Sequence, residues 1–397
     1  VEGARRAGYD GPITLVGAEP HLPYDRPPLS KDFLTAAEPP GPTRLRDEAV
    51  LRDELAVRLR LGTTATSLDV AAKAVVTDDG EVPYERLVIA TGAAPRLLPG
   101  TESLRGVHAL RTLDDAIAIR TALDAGARTV VVGAGFIGSE IAAAANKRGS
   151  EVTVVEALPT PLARAVGEQM GLALAALHER HGTRLRVGVG VDSLEHREGA
   201  VTGVRLADGT RVDADLVVIG IGVAPATGWL AGSGLELGNG IECDERLATS
   251  APDVFAAGDL VSWPNAATGT RMRLEHWTIA AEQGGAAGRN AADPGNATPF
   301  GTVPYFWSDQ YDKRIQFVGV AADADETRTV IGDLDSDSFL VLYRRGDRLI
   351  GVLGLEQRGN IMKFRNLLAG DASWSDAVAL GAERAAAAAA KAAASAG

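Results

Sequence analysis

The sequence predicts an α/β fold with two dinucleotide-binding domains and a smaller C-terminal α/β domain. Three observations lead there. Gly133-Ala134-Gly135-Phe136-Ile137-Gly138 stands between a run of β-branched residues and a helical pattern. A second strand, Ile13 to Gly17, ends at an acidic residue, Glu19, as the strand Val152 to Glu156 does. After about Thr302 the texture changes to closely spaced short strands. A chain of 397 residues is also too long for one ordinary core.

Bulk properties narrow the function classes. Hydrophobic residues make up 46% and charged residues 23%, the balance of a globular protein. The net charge of −12 argues against nucleic acid as a partner. No apolar run reaches the roughly 20 residues needed to cross a bilayer, and Val1-Glu2-Gly3-Ala4-Arg5-Arg6 is not a secretory leader. A single cysteine, Cys243, permits no internal disulfide, which fits a reducing cytoplasm and excludes chemistry by a paired dithiol. The six histidines show no metal-ligand spacing, His178 and His181 included, and no metal is assigned.

Val1 to Gly8 reads as the last turns of a helix, followed by the turn Tyr9-Asp10-Gly11-Pro12 and the strand at 13–17. Helix, strand and acid make the second half of a βαβ unit, so its first strand and glycine turn, roughly 10–20 residues, are expected upstream of Val1. Arg86 to Gly92 and Asp253 to Asp259 read as strands running into glycine turns. Thr129 to Gly133 opens the second βαβ unit, with its helix from Phe136 to Arg148 and its second strand ending at Glu156. Leu216 to Ile221 is a buried strand by its continuous apolar run. In the last third, strands are expected at 315–320, 339–343 and 349–355, a helix near 360–368, and a frayed helix or loose end from Ala385.

The glycine turn carries chemistry because each glycine has a separate task. Gly133 makes the tight turn, Gly135 admits a pyrophosphate against the backbone, and Gly138 lets helix and strand pack closely. The helix start offers free N–H groups and the positive end of its dipole. Glu156 is expected to accept hydrogen bonds from both adenosine ribose hydroxyls and to repel a 2′-phosphate, favouring NADH over NADPH. The competing reading is a turn made only for packing. Glu19 would serve the ribose of a second dinucleotide, although an acid after a strand is common. Ala90-Thr91-Gly92 and Ala257-Gly258-Asp259 would let backbone approach that cofactor, with Asp259 accepting from a polyol hydroxyl.

These pieces occur together with Pro23-Tyr24-Asp25-Arg26-Pro27-Pro28-Leu29-Ser30-Lys31, Ile219 to Pro225, Glu275-His276-Trp277 and Pro304 to Gln310, in that order along the chain. The combination resembles the ferredoxin reductase family of putidaredoxin reductase, rubredoxin reductase and the reductases of bacterial dioxygenases, and more distantly apoptosis-inducing factor. The resemblance covers nearly the whole chain. It implies a glutathione-reductase-like pair of Rossmann-like domains: an FAD domain at 1–112 and 238–302, an NAD domain at 113–237, and a C-terminal domain at 303–397.

It also implies site roles. Arg26, Pro27 and Lys31 would lie along FAD, Lys31 close to flavin N5, with Glu140 paired to Lys31 where hydride arrives. A cation there stabilises negative charge developing on the flavin. Asp259 would hold the ribityl chain and Arg96 the phosphates or adenosine side. Trp277 and Trp307 would lie by the isoalloxazine and shape the electron exit. Ala90, Thr91, Gly92, Phe136, Ile137, Gly222, Glu275 and His276 complete the cofactor set. Without the resemblance, Lys31 reads as a solvated lysine, Glu140 as a surface helix residue and the tryptophans as packing. The family often has Pro-Asn where this chain has Pro225-Ala226.

The implied function is transfer of electrons from NADH through FAD to a small two-iron two-sulfur ferredoxin serving a monooxygenase or dioxygenase. The expected setting is the cytoplasm, as a monomer or weak homodimer, with no nucleic acid or membrane partner. Arg344, Arg345, Arg358, Lys363 and Arg365 are candidates for a basic docking patch. Two rivals stay open: an NADH oxidase or diaphorase with a small acceptor, and an NADH-responsive interaction protein like apoptosis-inducing factor.

Overall fold

The computed structural model describes residues 1–38, 40–370 and 373–395. The chain divides into two compact units. The first comprises Val1–Asp25, Pro42–Ala94 and Val223–Thr302. Its strands Ile13–Gly17 and Val57–Leu61 run parallel, as do Leu87–Ile89 and Val254–Ala256. The second pairing brings the ends of two segments about 165 residues apart to the same edge, which is where α/β sheets bind ligands. The helix Trp277–Ala292 lies against the helix Glu2–Arg6, so closely that a Cβ on Gly3 would sit 2.3 Å from the Gly285 carbonyl oxygen. Ile89, Ile241, Phe255, Val261, Trp263 and Ile279 form the core beneath. Trp263 is fully buried, and its truncation to alanine would cost about 3–5 kcal/mol.

The second unit comprises Arg26–Gly41, Pro95–Gly222 and Val303–Gly397. Its parallel sheet has the order 184–187, 152–156, 129–132, 216–219, 107–108. Thr129–Val132 and Leu216–Ile219 are buried at every position, the pattern of central strands covered on both faces. The last third is an antiparallel five-stranded sheet in the order 305–310, 313–319, 348–355, 339–345, 326–331. Alternation splits its residues between two cores. Ile315, Phe317, Phe339, Val341 and Tyr343 pack with Met170, Leu174 and Leu177 of the helix Glu168–Arg180. Val318, Leu340, Leu342 and Val352 pack with Ile361 and Phe364 of the helix Arg358–Ala369. Both faces are therefore occupied, which explains why Phe339 to Tyr343 reads as an unbroken apolar run.

The expected elements are present with small shifts. The strand expected over Arg86 to Gly92 ends at Ile89, because Gly92 turns at φ +68°. The alanine-rich end is part of a helix, Trp374–Ser395. The arm 26–41 buries Leu29, Phe33 and Leu34 within the second unit.

Candidate functional site

The glycine turn takes the form its sequence suggests. Gly133 has φ +101°, and a Cβ there would lie 2.3 Å from the Gly220 carbonyl oxygen. A Cβ on Gly138 would meet the Gly133 carbonyl oxygen at 2.1 Å. A Cβ on Gly135 would meet nothing within 4 Å. Gly133 and Gly138 are thus required by the protein's own packing, while Gly135 opens onto space. No side chain caps the start of the helix Phe136–Lys147, which leaves its first N–H groups for an anion. Glu156 is tied to this turn: it accepts from Ala134 N at 2.8 Å and Leu158 N at 2.8 Å. Each carboxylate oxygen retains capacity for a further donor. Phe136 lies tilted on Phe306, ring centroids 4.7 Å apart, and Ile137 is exposed. The donor set fits a dinucleotide pyrophosphate with a ribose beyond it.

Glu140 sits one turn further along that helix and is only 2% exposed. An isolated carboxylate at such depth would be costly unless paired and hydrogen-bonded. Four donors meet it. Oε2 accepts from Lys31 Nζ at 2.7 Å and from the Ser30 hydroxyl; Oε1 accepts from Ser308 Oγ at 2.7 Å and Asp309 N at 3.2 Å. Lys31 Nζ also donates to the Pro27 carbonyl at 3.3 Å. Lys31 and Glu140 lie 109 residues apart in sequence and meet as a shielded ion pair. Neither is the solvated surface residue that each suggests when read alone. Ser30, Ser308 and Asp309 are partners to which the sequence assigns no individual role, though each lies inside a segment that carries the family resemblance.

Behind this cluster lies a second buried group. The His178 ring contacts Ser139 Oγ at 3.2 Å and Tyr311 Oη at 2.8 Å, and Tyr311 donates to Thr183 Oγ1 at 2.9 Å. Burial pushes the imidazole down to about 4, so it is neutral at ordinary pH. Nothing in the histidine spacing signals this role, because its partners are hydroxyls distant in sequence.

In the first unit, Gly92 and Gly258 both adopt positive φ, at +68° and +90°, and they follow adjacent parallel strands. Ala90 and Thr91 are exposed at this edge, and Ala257 N donates to the Ile89 carbonyl. Gln283, fully buried, accepts from Gly258 N at 2.8 Å and fixes the turn from behind. The Asp259 carbonyl takes Arg273 Nη1 at 2.9 Å, and Arg273 also pairs with Glu275 at 2.7 Å. His276 precedes the helix Trp277–Ala292, and Trp277 is 44% exposed. Glu19 accepts from the Tyr24 hydroxyl. Open strand ends with an acid and left-handed glycines suit a flavin dinucleotide.

The remaining expected residues are placed as follows. In the second unit, Arg26 donates to the Arg111 carbonyl, Arg96 N donates to the Gly222 carbonyl, and Trp307 stacks on Tyr305 with centroids 6.0 Å apart. At Pro225-Ala226, where the family often has Pro-Asn, the Ala226 backbone instead binds Gly92 O and Thr91 Oγ1. The basic patch is largely neutralised. Arg344 pairs with Asp325 and Glu326, Arg345 with Asp323 and Arg358 with Glu356, while Arg365 lies over the Tyr305 ring. Cys243 is buried and its thiol is pushed up to about 12, an inert core residue. Among the described residues no cluster of metal-ligating groups occurs, and no helix is long and apolar enough to cross a membrane.

Two glycine-bearing nucleotide sites of this kind define a pyridine-nucleotide-dependent flavoprotein class, and comparison with known proteins agrees. Residues 1–284 match the pyridine nucleotide-disulphide oxidoreductase family and residues 305–388 the reductase C-terminal domain, so the chain belongs to that family. It is 38% identical to rhodocoxin reductase of Rhodococcus erythropolis, over 92% of this chain and 85% of that protein. The crystal structure of the ferredoxin reductase for the CYP199A2 system from Rhodopseudomonas palustris matches with a TM-score of 0.88 and 35% identity, covering 94% of this chain and 91% of that one. The covalent putidaredoxin reductase–putidaredoxin complex matches with a TM-score of 0.87 and 33% identity, covering 93% and 89%. The protein is an oxidoreductase of the ferredoxin reductase type, with FAD and a nicotinamide dinucleotide as its cofactors.

Proposed function

We propose that this chain takes electrons from NADH and delivers them singly to a two-iron two-sulfur ferredoxin that feeds a monooxygenase or dioxygenase. The observation that carries the reading is the buried Lys31–Glu140 pair, set one turn beyond an open pyrophosphate cradle. Bound FAD supplies the conversion of a two-electron donor into one-electron steps. The chain's residues do the rest. Gly135 and the helix start hold the NADH pyrophosphate, and Glu156 takes the ribose hydroxyls and repels a 2′-phosphate. Thr91, Gly92, Gly258 and Asp259 hold the FAD ribityl and phosphate region, with Glu19 on its adenosine ribose.

Lys31 presents a positive charge to the flavin N5 side, where negative charge develops during reduction. Glu140 holds that ammonium in one place. Trp277 and Trp307 exclude water from the rings and border the exit for electrons. The docking face does not rely on net charge, since most of the candidate arginines are already paired. This favours a contact of apolar and stacking character, and it keeps reduction of a small acceptor as the second reading. We place the protein in the cytoplasm, as a monomer or weak homodimer.

The test is anaerobic mixing of the FAD-loaded protein with NADH or NADPH, followed by addition of ferredoxin. NADH is expected to bleach the flavin band at least about tenfold faster than NADPH, the scale of one lost or repelled polar contact. Ferredoxin should then restore the colour. Equal rates with both nucleotides would remove the role given to Glu156. Recolouring only by oxygen or a quinone would favour the diaphorase reading.

A further inference from the structure

We propose that Arg120, Arg148 and Asp124 form a latch that fixes Lys31 against Glu140. The inference rests on the role just given to Lys31, and it assigns these three as positioning residues. The helix Asp32–Thr35 has only four residues, so it cannot satisfy its own C-terminal carbonyls. Arg120 does so from the helix Leu113–Asp124, donating Nη1 to Phe33 O at 2.6 Å and Nη2 to Ala36 O at 2.8 Å and Ala37 O at 3.1 Å. Arg148 adds bonds to Leu34 O and Ala36 O, both at 3.2 Å. Asp124 ion-pairs with Arg148 and lies 3.5 Å from Arg120 Nε, balancing two guanidinium groups that share the Ala36 carbonyl.

The placement of Arg148 gives the arrangement its meaning. It directly follows Phe136–Lys147, the helix that bears Glu140. One helix therefore grips the arm at two points: Glu140 holds Ser30 and Lys31, and Arg148 holds Leu34 and Ala36. Eight residues separate the two grips along the helix, roughly 12 Å at about 1.5 Å per residue. A single attachment would let the arm pivot about Glu140, whereas two fix both its position and its direction. Burial of Leu29, Phe33 and Leu34 already supplies adhesion, so packing does not require a buried arginine that is only 4% exposed. A planar guanidinium fork spans the Phe33, Ala36 and Ala37 carbonyls in a fixed geometry that a point-like ammonium reproduces only in part.

The test uses the FAD-loaded full chain carrying Arg120→Gln, Arg120→Lys or, as the milder change, Arg148→Gln. Two readouts are compared: hydrogen exchange at Leu34, Thr35 and Ala36, and flavin reduction at saturating NADH. In Arg120→Gln, exchange should rise at least tenfold and reduction should slow about ten- to a hundredfold, the scale of an ångström of misplacement. The KM for NADH and the bound FAD should be unchanged, with Arg120→Lys partly restoring the rate. Arg148→Gln should shift both readouts in the same direction by less. Unchanged exchange in both glutamine variants would overturn the proposal. So would faster exchange with an unaltered reduction rate. Lys31→Met measured alongside separates the two ideas: wild-type reduction there removes the role of Lys31, and the exchange data alone then decide whether the latch exists.

Discussion

The two nucleotide-binding regions hold equivalent acids by different means. Glu156 is bonded to Ala134 N inside the glycine turn proposed to receive the pyrophosphate, so acid and turn are one local construction. Glu19, after the corresponding strand of the other unit, is steadied by the Tyr24 hydroxyl instead. The remainder of that site arises from long-range pairing, with Leu87–Ile89 beside Val254–Ala256. The first arrangement is set by about 30 consecutive residues of one βαβ unit. The second depends on the whole unit folding. Perturbations should accordingly be sharp and separable around the Gly133 turn, and diffuse around Gly92 and Gly258.

The largest expected effect is at Gly133. A methyl group there meets the Gly220 carbonyl at 2.3 Å with φ at +101°, so Gly133→Ala should destabilise the second unit by about 2–4 kcal/mol, read as a fall in Tm. A Tm within a degree of wild type would show that the turn relaxes freely.

Acid should weaken the same unit next. The folded-state pKa of His178 lies near 4, below its usual 6.5, so the unfolded chain binds the extra proton first as pH falls. Stability from this group is complete above about pH 6.5 and is lost towards pH 4, on the order of 3 kcal/mol. Denaturant midpoints across that range should show the loss in wild type and much less of it in His178→Gln. Matching pH profiles for the two proteins would mean that other groups govern acid sensitivity.

A smaller and more selective effect is expected at Gly135, where a Cβ meets no protein atom. Gly135→Ala should keep its Tm yet raise the KM for NADH by about tenfold, because the methyl group intrudes only on the ligand. A lowered Tm with normal KM would reverse the assignment of the glycines. The smallest effect belongs to Tyr24→Phe. Loss of one hydroxyl from Glu19 should cost about 1 kcal/mol or less and weaken FAD retention slightly, with no change in NADH affinity.

The same contrast explains what could be read from sequence. The turn at 133–138, the helix after it and Glu156 were legible because each piece constrains its neighbours within one short stretch. The strands at 13–17, 152–156 and 339–343 were legible from apolar runs. Partners fixed by tertiary contact were not. Ser30 and Ser308 are ordinary serines until Glu140 is buried between them, and Gln283 reads as a polar helix residue until it accepts from Gly258. His178 has no evident partner in the linear chain until Ser139 and Tyr311 close over it. Pairing within the candidate basic patch was hidden for a related reason: Asp325 and Asp323 lie far along the chain from Arg344 and Arg345 and meet them only in the fold. Only the family resemblance brought Lys31 and Glu140 together, since nothing in their spacing of 109 residues predicts a contact.

The most direct test of the Lys31–Glu140 couple is single-turnover reduction of the FAD-loaded protein by saturating NADH, comparing wild type with Glu140→Gln. Glutamine keeps the volume but offers one acceptor oxygen in place of two and no charge, so it cannot hold the ammonium as Glu140 does. The account predicts reduction slower by about a hundredfold with NADH binding preserved, the scale of losing one preorganised charge contact. Equal rates in the two proteins would contradict it.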